Sequence, residues 1–563
     1  MRKLTCWIQN HKIEAGLALC LILQLACSAG NILFRGPEYD ELWTLEHYVH
    51  LPVHRIVTDV ATPNNHVWNS LGIKLVHALI GFSLPAARIP ALLGFCALAA
   101  FVWRLAFRMI RFPAVRGLFL TMVFFNGALL HYAETARGYS WQCAAVAGMV
   151  LALTAYENAP ENSRARNRSA LLWLICAVIA SLAVSSGVLY SACLTLTWGL
   201  FQKPFSGHGT MFFRRFRPLI LAGLGYTFFA ALWYGTLFRE FVKGQEAFGD
   251  VVTTADGLRL FVRNALGSTR LGLLLAAALA GALVFRNTRG GRTAFWLASA
   301  LLLMLFSALA TKGGPSRVYL AWIAPLAFAC GTVLDEAWER CARLRRWELP
   351  IVLTAVTFAA LFFHRAKESF SEPDFVRIYP VLTQMPDSTL IAWRPTDAYV
   401  IRHIFQDDAL RDHRKRMLDF RKIMLVHDHL LGMMRLDDYR TVYLAPPFPC
   451  EKSGGADAPL PYWIYPVRPL RPGEDLQGKI VLCRVVGYPP EYRDPDGFLR
   501  RNFACVNTFL TAPAPEPGTP PMRLLGSAAP GMSADAMLEL EHRSGGLLRF
   551  WAIAPGSMLP AQK

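Results

Sequence analysis

Apolar residues run through the first two thirds of the chain in blocks too long for strands. Residues 15–34, 138–156, 218–238 and 293–311 hold no Asp, Glu, Lys or Arg. A helix that crosses a bilayer satisfies its own backbone hydrogen bonds and needs about 20 mostly apolar residues, so each block predicts one spanning helix. Residues 169–202 are also uncharged, but this run is too long for one span and carries Ser185-Ser186-Gly187 at its middle. It predicts two helices with a break there. Residues 89–103, 117–133, about 266–285, 318–334 and 349–363 complete a set of eleven. The first helix follows Arg2, Lys3 and Lys12 with no small-residue cleavage site, and reads as a retained helix.

Residues 66–82 break the pattern. His66, Ser70, Lys74, His77 and Gly81 recur at three- and four-residue steps opposite Val67, Leu71, Leu75 and Ala78, which predicts an amphipathic helix at the interface. With that helix not spanning, the basic clusters around Arg104–Arg116, Arg164–Arg168, Arg214–Arg217, Arg286–Arg292 and Arg340–Arg346 all fall on one side. Positive charge marks that side as cytoplasmic. The amino terminus is then cytoplasmic, and loops 35–88, 133–137, 239–264 and 312–317 face outward, as does everything after about 365. The first 364 residues form a membrane domain, with its first outer loop at 35–88, and residues 365–563 a separate one. The tail holds most of the 35 prolines and no long apolar run. Strand-like segments at 389–393, 441–444 and 479–486 alternate with polar helical stretches, predicting a small α/β domain, and the proline-rich stretch 512–521 reads as a linker or loop. The fold expected is a polytopic α-helical membrane protein of about eleven transmembrane helices with a small extracytoplasmic C-terminal α/β domain.

Composition agrees with the pattern. The chain is 54% hydrophobic and 17% charged, with a mean hydropathy of +0.30, which excludes a disordered chain. The formal charge of +18 sits in short clusters between apolar runs, so it belongs to loops and not to nucleic-acid binding. The 12 cysteines lack C-x-x-C spacing and read as small buried thiols. No phosphate-cradling glycine loop and no H-E-x-x-H is present, and the spans lack the acidic relays of a proton-coupled pump.

Candidate chemistry collects in the outer loops. Asp40-Glu41 follows the first span. Such a pair supplies a base and its helper, a substrate contact or ligands for a divalent cation; the bland alternative is an exposed loop end. Asn65 and His66 open the amphipathic helix, where they also suit a turn and cap. Glu134, Arg137 and Tyr139 lie between two spans, and the first two, three apart, are spaced to pair with each other. Arg259 and Arg263 stand four apart, and Arg317 with Tyr319 opens another span. Outward guanidinium groups at a bilayer surface suit a lipid phosphate, and snorkelling arginines give the same pattern.

The order of these features resembles the GT-C class of integral-membrane glycosyltransferases, in particular the branch containing protein O-mannosyltransferases and the lipid A aminoarabinose transferase. The residues that carry the resemblance are Asp40-Glu41, Asn65-His66-Val67-Trp68, Arg88-Ile89-Pro90, Tyr132-Ala133-Glu134-Thr135-Ala136-Arg137-Gly138-Tyr139, and Arg317-Val318-Tyr319-Leu320 running to Pro325. It covers roughly residues 10 to 365. The resemblance implies an inverting transfer of a sugar from a polyprenyl-phosphate donor to a hydroxyl on a lipid, glycan or protein acceptor, at the outer side of the membrane. The uncleaved amino terminus, the lack of organellar signals and the compact design point to a bacterial inner membrane, with an archaeal one as the alternative. It implies Asp40 as the base, with Glu41 as its helper. His66, Arg137, Arg259, Arg263, Arg317 and Tyr319 would hold the donor phosphate, and Asn65, Glu134 and Tyr139 the substrate. No metal or other cofactor is expected to be obligatory, although the acidic pair has the chemistry to hold a divalent cation. The competing class is a transporter or flippase of lipid-linked sugars or another amphiphile; no internal repeat or midplane charge favours it. A membrane-anchored sensor is a third class, and it leaves the loop motifs without a purpose.

Overall fold

A computed structural model describes residues 12–34, 38–60, 65–81, 83–161, 163–201, 209–239, 271–310, 316–340, 346 and 350, together with six strands after residue 388. The chain divides into two compact units, residues 1–34 with 43–371 and residues 35–42 with 372–563.

The described helices follow the predicted runs in order. They are α1 (Lys12–Phe34), the short α2 (Tyr39–Thr44) and α3 (Val53–Thr58), α4 (Val67–Ile80), α5 (Leu84–Met109), α6 (Pro113–Phe124), α7 (Gly127–Ala133), α8 (Tyr139–Glu157), α9 (Arg164–Ala183), α10 (Gly187–Leu200), α11 (Gly209–Thr236), α12 (Leu271–Val284), α13 (Arg289–Ala310) and α14 (Ile323–Arg340). Among the described residues five helices are long and apolar enough to cross a membrane, or six if one bent pair is a single span.

The uncharged run at 169–202 is broken after Ala183, as its polar turn predicts. Two other runs differ from the expectation. Residues 117–133 do not form one straight helix, because α6 and α7 meet at a 53° bend. Asn126 causes the break: its Oδ1 accepts the Ala128 and Leu129 N–H groups at 3.1 and 3.2 Å, capping a new helix inside an apolar stretch. The run at 318–334 begins as a 3-10 segment, Ser316–Trp322, before α14. The expected span at 349–363 lies outside the described residues except for residue 350.

The amphipathic helix is present as α4, with Val67 and Ile73 buried beside two polar residues. Asn69 and Ser70 are buried, whereas Leu75, Leu79 and Ile80 are 62%, 74% and 65% exposed. Lys74 reaches back to donate from Nζ to the Val49 carbonyl at 3.0 Å. Apolar side chains left outward at the end of this helix are suited to acyl chains.

Helix α8 is buried nearly all round. Lipid tails are as apolar as side chains, so helices in a membrane associate through close packing of small residues. Gly94 of α5 illustrates this: a Cβ there would lie 2.9 Å from the Trp141 amide nitrogen of α8.

The helix ends of this unit form two polar groups. At one end Asp335 of α14 accepts the Arg111 and Phe112 N–H groups at 2.9 and 3.0 Å and the Arg111 Nε at 2.8 Å. Arg111 also pairs with Glu339 at 2.7 Å. Beside them is a cavity of about 290 Å³, lined by Arg108, Arg116, Arg289 and Glu336 among others. Here Arg116 donates twice to the fully buried Glu14, at 2.9 and 2.5 Å. Removing one partner of a buried pair strands the other, at a cost of about 3–5 kcal/mol. Glu14→Gln is therefore expected to lower the thermal unfolding temperature in detergent, and Glu14→Leu with Arg116→Met to recover part of the loss. An unchanged transition in Glu14→Gln would deny the pair that role.

Within the second unit the strands make a six-stranded sheet in the order β4-β3-β2-β1-β5-β6. Strand β1 (Thr389–Trp393) runs parallel to β2 (Ile423–His427) and β5 (Ile480–Arg484). The edges are antiparallel: β3 (Met433–Met434) and β4 (Val467–Arg468) continue from β2, and β6 (Leu548–Ala552) from β5. The unbroken apolar sequences of β1 and β5 are typical of parallel strands covered on both faces. Two of the three predicted strand segments are thus strands; 441–444 and the proline-rich stretch 512–521 lie outside the described residues.

Candidate active site

The opposite polar end of the first unit is built from helix termini. Helix α9 ends at Ala183, and a final-turn carbonyl has no partner within its own helix. His66, which precedes α4, supplies one: its Nδ1 lies 2.7 Å from the Ala183 oxygen. A carbonyl only accepts, so Nδ1 carries the hydrogen and Nε2 holds a lone pair. The ring is 1% exposed. Burial holds it neutral, well below the usual histidine range; the positive charge of Arg137 and then that of Arg317 act in the same direction, against the Ala183 bond. Two arginines 180 positions apart in sequence therefore act on one buried imidazole.

The loop after α7 completes the cluster. Gly138 is packed so closely that a Cβ on it would stand 2.5 Å from the Ala183 oxygen and 2.9 Å from the His66 Cβ. Tyr139 meets the His66 ring edge-on at 4.9 Å, and the Arg137 guanidinium lies 5.7 Å from the Tyr139 ring centre. Arg137 is 1% exposed. Glu134 Oε1 accepts from Ser28 Oγ and Asn31 Nδ2 of α1, both at 2.8 Å. Gln142 donates to Ser186 Oγ at 2.8 Å, tying the start of α8 to the break between α9 and α10. Tyr190 donates to the Val318 carbonyl at 2.8 Å and anchors the segment that carries Arg317 and the buried Tyr319.

Asn65 has a different surrounding from the one a substrate contact requires. Its Nδ2 donates to the Ile56 and Asp59 carbonyls at 2.8 and 2.6 Å, and its Oδ1 accepts from Ser70 at 3.2 Å. The side chain orders the approach to α4. Asp40 and Glu41 belong to the second unit. Asp40 is half-buried in the first turn of α2, and Glu41 is buried and accepts the Glu38 N–H at 2.9 Å. Arg259 and Arg263 lie outside the described residues. Sequence reasoning missed Ser28 and Asn31, although Gln24, Ser28 and Asn31 form a polar stripe at helical spacing along an otherwise apolar helix.

No protein-family model matches the chain, and no curated protein matches it. Among solved structures it is similar to ArnT from Cupriavidus metallidurans in the apo state, with 11% identity, a TM-score of 0.45, and coverage of 73% of this chain and 86% of that one. ArnT from the same organism bound to undecaprenyl phosphate gives 12%, 0.46, 73% and 93%. The archaeal oligosaccharyltransferase AglB from Archaeoglobus fulgidus, in complex with an inhibitory peptide and a dolichol-phosphate, gives 12%, 0.43, 73% and 60%. The chain is thus similar to a lipid A aminoarabinose transferase and to an oligosaccharyltransferase.

Proposed function

We propose that the protein is an inverting glycosyltransferase that moves a sugar from a polyprenyl-phosphate donor to a hydroxyl acceptor at the outer face of a bacterial inner membrane. The observation that carries this reading is the gathering of Arg137, Arg317, Tyr139 and Gly138 around His66 at a single end of the helical unit. A phosphate ester leaves as a stable anion, so the reaction needs fixed positive donors where charge develops more than it needs a strong acid. Arg137 and Arg317 supply them, with Tyr319, Arg259 and Arg263 as further contacts. Asp40 takes the proton of the acceptor hydroxyl as its oxygen attacks the anomeric carbon, the carbon–phosphate oxygen bond breaks, and polyprenyl phosphate departs. Glu41 and Glu134 position the base, the arginines or the sugar, and no metal is obligatory.

The test is reconstitution of the full chain in vesicles with undecaprenyl-phosphate-linked sugars, reading release of undecaprenyl phosphate. Arg317→Ala is expected to raise KM for the lipid donor roughly tenfold to a hundredfold, the worth of one charged hydrogen bond, with little change in folding. Unchanged donor dependence would return Arg317 to ordinary snorkelling. Movement of the intact sugar lipid across the bilayer without transfer would replace the enzyme by a carrier.

A further inference from the structure

We propose that His66 reads the sugar of the donor and not its phosphate: Nε2 accepts a hydrogen bond from the hydroxyl carried on the carbon next to the anomeric centre. The proposal rests on the glycosyl-transfer reading above and assigns a specificity-determining contact within that site. The Ala183 carbonyl, 2.7 Å from Nδ1, fixes which nitrogen bears hydrogen. On the opposite edge of the ring Nε2 is buried and has no partner among the described residues. Buried polar atoms are nearly always paired, and one that is not calls for a ligand or another explanation.

The charges around the ring decide which ligand group suits it. Arg137 approaches from the loop after α7, Arg317 from the segment before α14, and Tyr139 from the start of α8. Two guanidinium groups already balance a phosphodiester, which carries one negative charge. A lone pair aimed at phosphate oxygens would repel them, and a third cation between two arginines is opposed by both. The complement of this nitrogen is an uncharged donor. On a polyprenyl phosphosugar the nearest such group to the phosphate is the hydroxyl on the neighbouring ring carbon, held at a fixed distance by the anomeric linkage. Hydrogen bonds to a substrate hydroxyl discriminate strongly against analogues lacking it, because the site's own polar atom is then left unpaired.

The experiment uses the full chain in nanodiscs, labelled with ¹⁵N-histidine, the His66 signals being assigned by their loss in His66→Gln. The probes are undecaprenyl phosphate, undecaprenyl phosphomannose and its 2-deoxy counterpart, and binding of each is read independently from the phosphorus resonance. We expect undecaprenyl phosphate to leave His66 neutral, the phosphomannose to shift Nε2 as an accepting nitrogen, and the 2-deoxy lipid to bind roughly tenfold or more weaker without that shift. In His66→Gln, whose amide oxygen can accept, the preference for the hydroxylated lipid is retained, and in His66→Ala it is lost. Conversion of His66 to imidazolium by undecaprenyl phosphate, equal binding of the two sugar lipids, or a His66→Lys variant that binds undecaprenyl phosphate and phosphomannose as tightly as the parent would overturn the proposal. Failure of all three lipids to bind is a separate result, visible in the phosphorus signal, and it removes the glycosyl-transfer reading itself.

Discussion

Asp40→Asn is expected to leave the protein folded in membranes and to reduce sugar transfer by about 10² to 10⁴-fold, the usual worth of a positioned general base. The amide matches the carboxylate in shape and cannot take the acceptor's proton. The neighbouring acid gives the control. Glu41 accepts the Glu38 N–H at the start of α2 and is buried, so Glu41→Gln weakens local structure as well as any role in catalysis. Asp40→Asn should therefore lower kcat with an unchanged unfolding transition, whereas Glu41→Gln should move both. Near-parental turnover by Asp40→Asn would remove Asp40 from the mechanism.

Gly138→Ala should have an effect almost as large, from a residue with no side chain. The added methyl would meet the Ala183 carbonyl at 2.5 Å and the His66 Cβ at 2.9 Å, and the first of these is rigid backbone. The loop has to move away from the very carbonyl that holds His66, carrying Arg137 and Tyr139 with it. Overpacking of this kind costs about 1–3 kcal/mol, and a displacement of an ångström in a catalytic constellation costs about 10²-fold in rate. Gly223→Ala is the comparison, since a Cβ there meets nothing within 4 Å. Unfolding curves and transfer rates of the two variants should separate clearly, and matching behaviour would mean that the loop adapts without disturbing the site.

The parts of the fold that could be read in advance are those governed by the membrane. Charged groups are costly in lipid, so uncharged runs mark helices, and Glu134, Arg137 and Arg317 stand out at their ends. The break after Ala183 was legible because Ser185, Ser186 and Gly187 interrupt a run too long to be one helix. The bend at Asn126 was not, because a single uncharged asparagine barely lowers the hydropathy of the run while its side chain caps a new helix. Ser28 and Asn31 escaped for the same reason: neutral polar residues are tolerated in a span, and only the fold shows that they donate to Glu134. Asn65 suited either a turn or, through the resemblance, a substrate contact, and only the fold shows its amide donating to the Ile56 and Asp59 carbonyls. The state of His66 depended on the end of α9, 117 residues away in sequence, and no local pattern encodes that pairing. For the second unit, short β-rich apolar segments located β1 and β5, whereas strand order is a property of the folded sheet.

In the proposed enzyme the polar end built around His66 holds a lipid phosphate through Arg137 and Arg317. A structure of the full chain in nanodiscs with undecaprenyl phosphate tests it most directly. Phosphate density is expected at hydrogen-bond distance, about 2.8 Å, from both guanidinium groups, with the Ala183 bond of His66 intact. Phosphate bound instead at the opposite end, beside Arg108 and Arg289, would contradict it.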